Sequence, residues 1–99
     1  LSKVLLDLNC PTFLDDFFRL EKSELIAMVK ALKKLSGMKW KEVYEDNGLK
    51  WEKIKSKKGL KNEVLHSFRI TKKFRAIAIR QDDFLRILSL HEDHDSTYK

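Results

Sequence analysis

Two arginines and a terminal run of imidazoles, acids and a phenol are the parts of this chain equipped for chemistry. The last third reads VLHSFRITKKFRAIAIRQDDFLRILSLHEDHDSTY, from Val64 to Tyr98. Arg69 and Arg75 stand in short apolar runs; a guanidinium is permanently charged and can grip two phosphate oxygens at once. His91 and His94 follow a third apolar run, and an unperturbed imidazole titrates near pH ~6.5, where it can give or take a proton. Tyr98 adds a phenol able to hydrogen-bond a reacting hydroxyl or stack on a base. Cations beside proton-transfer groups are what cleavage of an RNA phosphodiester requires. Other chemistries fit less well. The three glycines are scattered, so no phosphate-cradling loop is present. Ser89 and His91 do not form a Ser-His-Asp arrangement. The His91-x-x-His94 spacing lacks the second pair of ligands that a zinc site needs, so no metal or other cofactor is assigned.

The residues around these groups predict the elements that hold them. Alternating apolar residues predict strands over Val64–Ile70, Phe74–Arg80 and Phe84–His91, with turns at Thr71-Lys72-Lys73 and Gln81-Asp82-Asp83. Three-residue turns in both hairpins would place Ile79 opposite Leu85, Ile77 opposite Ile87, Arg75 opposite Ser89 and Arg69 opposite Arg75. Alternation then puts Arg69, Arg75, Ser89 and His91 on one face of the sheet, and turns His66 to the other, as a structural residue. Two cations directly opposite each other destabilise a sheet. A bound phosphate would relieve the repulsion; so would an internal carboxylate such as Glu63 or Glu92.

Upstream, Val4–Leu8 is a short apolar run that predicts a strand. Pro11 then opens a helical pattern carried by Phe13, Leu14, Phe17 and Phe18, and continued by Leu25, Met28, Val29, Leu32 and Leu35. A break near Ser23 would divide it in two, and Gly37 would close it in a left-handed cap. Trp40, Val43 and Tyr44 suggest a short third helical turn. From Leu49 the period becomes two, through Trp51 and Ile54. The expected fold class is α+β, in the order β-α-α-β-β-β-β, with an antiparallel sheet and the N-terminal helices packed on one face.

Ninety-nine residues, 42% of them hydrophobic, make one domain spanning 1–99. The net charge of +6 is unevenly spread: residues 1–49 balance, residues 50–80 carry +9, and residues 81–99 carry −3. Such a block favours a polyanion or an acidic partner protein, although lysines on a strand edge also discourage aggregation. Cys10 is the single cysteine; no internal disulfide can form, in keeping with a reducing cytoplasmic setting. No apolar run approaches the roughly 18 residues of a membrane span, and the start is too quickly interrupted for a secretion signal.

Three segments carry a likeness to a known group: Ser67-Phe68-Arg69-Ile70, then Phe74-Arg75-Ala76-Ile77-Ala78, then Leu85-Arg86-Ile87-Leu88-Ser89-Leu90-His91, ending at Tyr98. With the order of elements, they resemble the RelE/ParE toxin superfamily of bacterial type II toxin–antitoxin systems. The resemblance implies an mRNA endonuclease acting with or without the ribosome. It would drive a 2′-hydroxyl onto the adjacent phosphate, and a cognate antitoxin would neutralise it. Arg75 would then stabilise the phosphorane, with His91, His94 or Tyr98 as acid or base. Arg69 would bind phosphate, and Lys57, Lys58, Lys61, Lys72 and Lys73 would follow the RNA backbone. The ParE-like branch of the superfamily implies a different outcome: a non-catalytic gyrase inhibitor, or an RNA-binding module without turnover. Glu92 and Asp93 stand where many members have an arginine after the last-strand His, and Tyr98 lies further from His91 than is common.

Overall fold

The computed structural model describes residues 2–58 and 63–92, the side chains of 56–58 excepted. In chain order the elements are β1 (Leu5–Asp7), α1 (Pro11–Phe18), α2 (Lys22–Ser36), α3 (Trp40–Glu45), β2 (Glu52–Lys58), β3 (Val64–Arg69), β4 (Phe74–Gln81) and β5 (Phe84–Glu92). They form an α+β fold around one five-stranded sheet in the order β1-β5-β4-β3-β2. The strands from β2 to β5 run antiparallel, and β1 joins β5 in parallel at the edge, so the sheet is mixed.

Pro11 opens α1 at its first position, where a missing N–H costs nothing. The chain breaks at Arg19-Leu20-Glu21, ahead of Ser23. Glu21 caps α2, its backbone N–H donating to Glu24 Oε1 at 3.2 Å. Gly37 ends α2 with φ −97°, so the expected left-handed cap is absent. Met28, Ala31 and Leu35 recur on one face of α2 and are buried. Met28 and Leu35 meet Phe68, Phe74, Ala76, Ala78, Leu85 and Ile87 in one core. All three helices lie in the chain before β2, and the sheet side chains they do not cover form a second, open face. No helix among the described residues is long and apolar enough to cross a membrane.

The first hairpin has the expected register, with Arg69 opposite Arg75. The second does not. Gln81 pairs with Phe84, so Asp82 and Asp83 alone make the turn, and Asp82 takes φ 55°, a left-handed conformation that a short polar side chain tolerates. Ile79 consequently faces Arg86, and Ala78 faces Ile87. A bulge at Leu88 then adds one residue to β5, so that Ile77 faces Ser89 and Arg75 faces His91. The expected Arg75–Ser89 pair is thus replaced by Arg75–His91. Parity survives, because the shortened turn and the bulge offset each other.

His66 does face away from Arg69, as expected. Its ring stacks on Trp51 at 4.6 Å between centroids, and Trp51 packs edge-on to Trp40. Partial burial, reinforced by the charge of Lys53, lowers its pKa below the ordinary 6.5. An unfolded chain therefore binds a proton that the folded chain refuses, and stability falls as pH drops below about 6.5. Thermal melts between pH 7 and pH 5 should show this loss, and His66→Phe should reduce it while keeping the ring stack.

Candidate active site on the open sheet face

The open face is built by alternation. Glu63, Leu65, Ser67 and Arg69 contribute from β3 and the residue before it, and Arg75, Ile77, Ile79 and Gln81 from β4. Arg86, Ser89 and His91 contribute from β5. Glu52 joins from β2, where it pairs with Ser67. The Arg69–Arg75–His91 row lies at the end of the sheet closed by the Thr71–Lys73 turn. Thr71 Oγ1 fixes that turn by accepting from the backbone N–H groups of Lys73 and Phe74, at 3.0 and 3.2 Å. Lys72 and Lys73 are exposed beside the row.

Arg75 is the most constrained cation here. Its Nη2 donates to Ser67 Oγ at 2.6 Å and to Glu52 Oε1 at 3.0 Å. The side chain is 19% exposed, against 62% for Glu52. An internal carboxylate therefore does offset the paired arginines: Glu52 pairs with Arg75, while Glu63 accepts from Gln81. The ion pair covers one edge of the guanidinium. Arg75 Nε is shielded from water and has no protein acceptor among the described residues, and the same holds for Arg69 Nε. A shielded donor without an acceptor is costly, and an anion seated between the two arginines would satisfy both. Ser89 Oγ lies 2.8 Å from His91 Nε2, which fixes the ring by one nitrogen and leaves Nδ1 for other work.

Glu52 is a site residue that sequence patterning does not single out. It sits in a segment dominated by lysines, and the irregular pairing of β2 between Lys53 and Lys58 hides its alignment with Ser67. Its only signal is that it is one of two acids in the cationic block. The backbone of Lys57 and Lys58 lies at the end of β2 away from the arginine row. Lys58 pairs with Val64, five residues along β3 from Arg69, or about 16 Å at ~3.3 Å per residue. Lys61, His94 and Tyr98 lie outside the described residues. No group of three or more His, Cys, Asp or Glu able to hold a metal occurs among the described residues.

Beside Ser89 and Ile77 the face dips into a groove of about 340 Å³, bordered also by Cys10, Glu63, Leu65, Ile79, Arg86 and Leu88. Cys10 is half-buried at the start of α1, its thiol donating to Leu88 O at 3.6 Å.

Comparison with known proteins places the fold. No family model matches the sequence, and no curated protein matches it. Among solved structures, a chain of the archaeal RelE–RelB complex from Pyrococcus horikoshii OT3 superposes with a TM-score of 0.60 at 16% identity, over 92% of this chain and 93% of that one. A copper-bound mutant toxin from Helicobacter pylori aligns over 100% of both chains at 19% identity, with a TM-score of 0.49.

Proposed function

We propose that this chain, which has the RelE-like toxin fold, is the toxin of a toxin–antitoxin pair and an endoribonuclease that cleaves mRNA. The observation that carries the reading is the juxtaposition of Arg69, Arg75, His91 and Glu52 on one open sheet face. The RNA 2′-oxygen bonds to phosphorus as the P–O5′ bond breaks. The 2′-hydroxyl proton passes to a base, the departing O5′ takes a proton from an acid, and a 2′,3′-cyclic phosphate remains. Arg75 and Arg69 stabilise the dianionic phosphorane. His91 and Glu52 are the described groups able to move protons. Within the same proposal, His94 and Tyr98 remain further acid–base groups, and Lys57, Lys58, Lys61, Lys72 and Lys73 contact the RNA backbone. An antitoxin partner of acidic character would cover the basic surface, as RelB accompanies RelE in the archaeal complex.

Pulse labelling after induction in bacterial cells tests the reading. Protein synthesis is expected to stop within minutes while DNA synthesis continues. Arrest of DNA synthesis first would favour the gyrase-inhibitor alternative. RNA binding is expected to weaken with salt. Replacing both Lys72 and Lys73 with alanine should reduce the slope of log K against log salt by about 1.4, at ~0.7 for each single-strand phosphate no longer neutralised. Filter-binding titrations at several salt concentrations measure that slope.

A further inference from the structure

We propose that Asp16, on α1, is a positioning residue for His91; this rests on the reading of the open face as an RNA-cleaving site. β1 pairs with β5 only over Phe84–Arg86. Beyond Arg86 the outer edge of β5 has no strand beside it among the described residues. An uncovered edge presents backbone donors and acceptors with nothing to hold them. This is the stretch that carries Ser89 and His91. It is also loosened on its inner side, because the bulge at Leu88 interrupts the ladder to β4.

α1 stands in for the missing strand. The Cys10 thiol donates to Leu88 O at 3.6 Å, and Asp16 Oδ2 accepts from the Leu90 backbone N–H at 3.0 Å. The spacing suits the task. Six residues of helix rise about 9 Å, and helical side chains lean back toward the N-terminus. That lean brings Asp16 toward the roughly 7 Å that separates residues two apart on a strand. Phe13, at 1% exposure, anchors α1 in the core between the two contacts. Of the paired acids on α1, Asp16 is half-buried and Asp15 is exposed. The Asp16 contact is the stronger of the two, since a thiol is a weak donor and a carboxylate is a charged group that only accepts.

Leu90 lies between the two residues whose side chains meet, Ser89 Oγ and His91 Nε2 at 2.8 Å. Holding its N–H fixes the backbone from which both hang, and so the placing of the imidazole beside Arg75, its cross-strand partner. Arg75 is held separately, by Ser67 and Glu52. Asp16 therefore acts on proton transfer and not on the grip on phosphate. A displacement of about 1 Å at a reacting group costs on the order of 10²-fold in rate.

The test compares Asp16→Ala and Asp16→Asn with the native protein. An asparagine oxygen still accepts from Leu90, and an alanine does not. In a translating extract, Asp16→Ala is expected to lower the maximal rate of message cleavage about ten- to a hundred-fold. RNA affinity in filter binding should stay within about two-fold of native, the pattern of a lost transition-state interaction. Asp16→Asn should cleave close to the native rate. By NMR, the Leu90 amide should exchange with solvent faster in Asp16→Ala and much as in the native protein in Asp16→Asn. Added to His91→Gln, Asp16→Ala should cost little more, because residues that act as a unit are not additive. A native rate in Asp16→Ala, a full further loss in the His91→Gln background, or failure of Asp16→Ala to melt cooperatively would overturn the positioning role and leave the endonuclease reading standing. No cleavage by the native protein would overturn both.

Discussion

Replacing Arg75 with alanine is expected to lower RNA cleavage by about 10²–10³-fold, the usual effect of deleting one donor aimed at transition-state charge. Growth inhibition on induction should disappear with it. The fold should persist, because the ion pair removed is with a largely exposed carboxylate, and such surface pairs contribute about 0–1 kcal/mol. Circular dichroism and a melting curve close to those of the native protein would separate catalytic loss from unfolding. Arg75→Lys should not restore the rate, since an ammonium cannot hold Ser67, Glu52 and phosphate oxygens in one planar fork. A fully toxic Arg75→Ala variant would remove the assignment.

His91→Gln is expected to lower cleavage by about 10²–10⁴-fold, the range for loss of a positioned proton donor or acceptor. Its signature should differ from that of Arg75→Ala. Glutamine keeps a polar group near Ser89, and both arginines remain, so RNA affinity should stay within a few-fold of native while turnover collapses. Single-turnover kinetics beside equilibrium binding make the distinction. Equal losses in both quantities would mean that His91 only binds.

Much of this face is legible in the residues themselves. Alternation alone places Arg69, Arg75, Ser89 and His91 together, and the Thr71–Lys73 turn sets Arg69 opposite Arg75 as expected. The length of the next turn is not legible in the same way. Matching isoleucines and leucines across β4 and β5 favours three residues, yet the chain uses two and places Ile79 opposite Arg86. That pairing is tolerable because an arginine has an apolar stem, and here its head extends toward Asp7 and Asn9. Leu88 then restores parity as a bulge, a feature that no local pattern announces. Glu52 escapes notice for a related reason: strand partners separated by many residues are set by the assembled sheet, and the irregular β2–β3 register conceals the match. The parallel pairing of β1 with β5 likewise depends on the helices that bring the chain back to that edge.

The chemistry of the cut ends tests the central claim most directly. Purified protein is added to a translating extract, and the mRNA fragments are analysed by mass spectrometry. Fragments bearing 5′-hydroxyl and 2′,3′-cyclic phosphate ends, absent with Arg75→Ala, are the predicted result. Intact message, or fragments bearing 5′-phosphate ends, would contradict it.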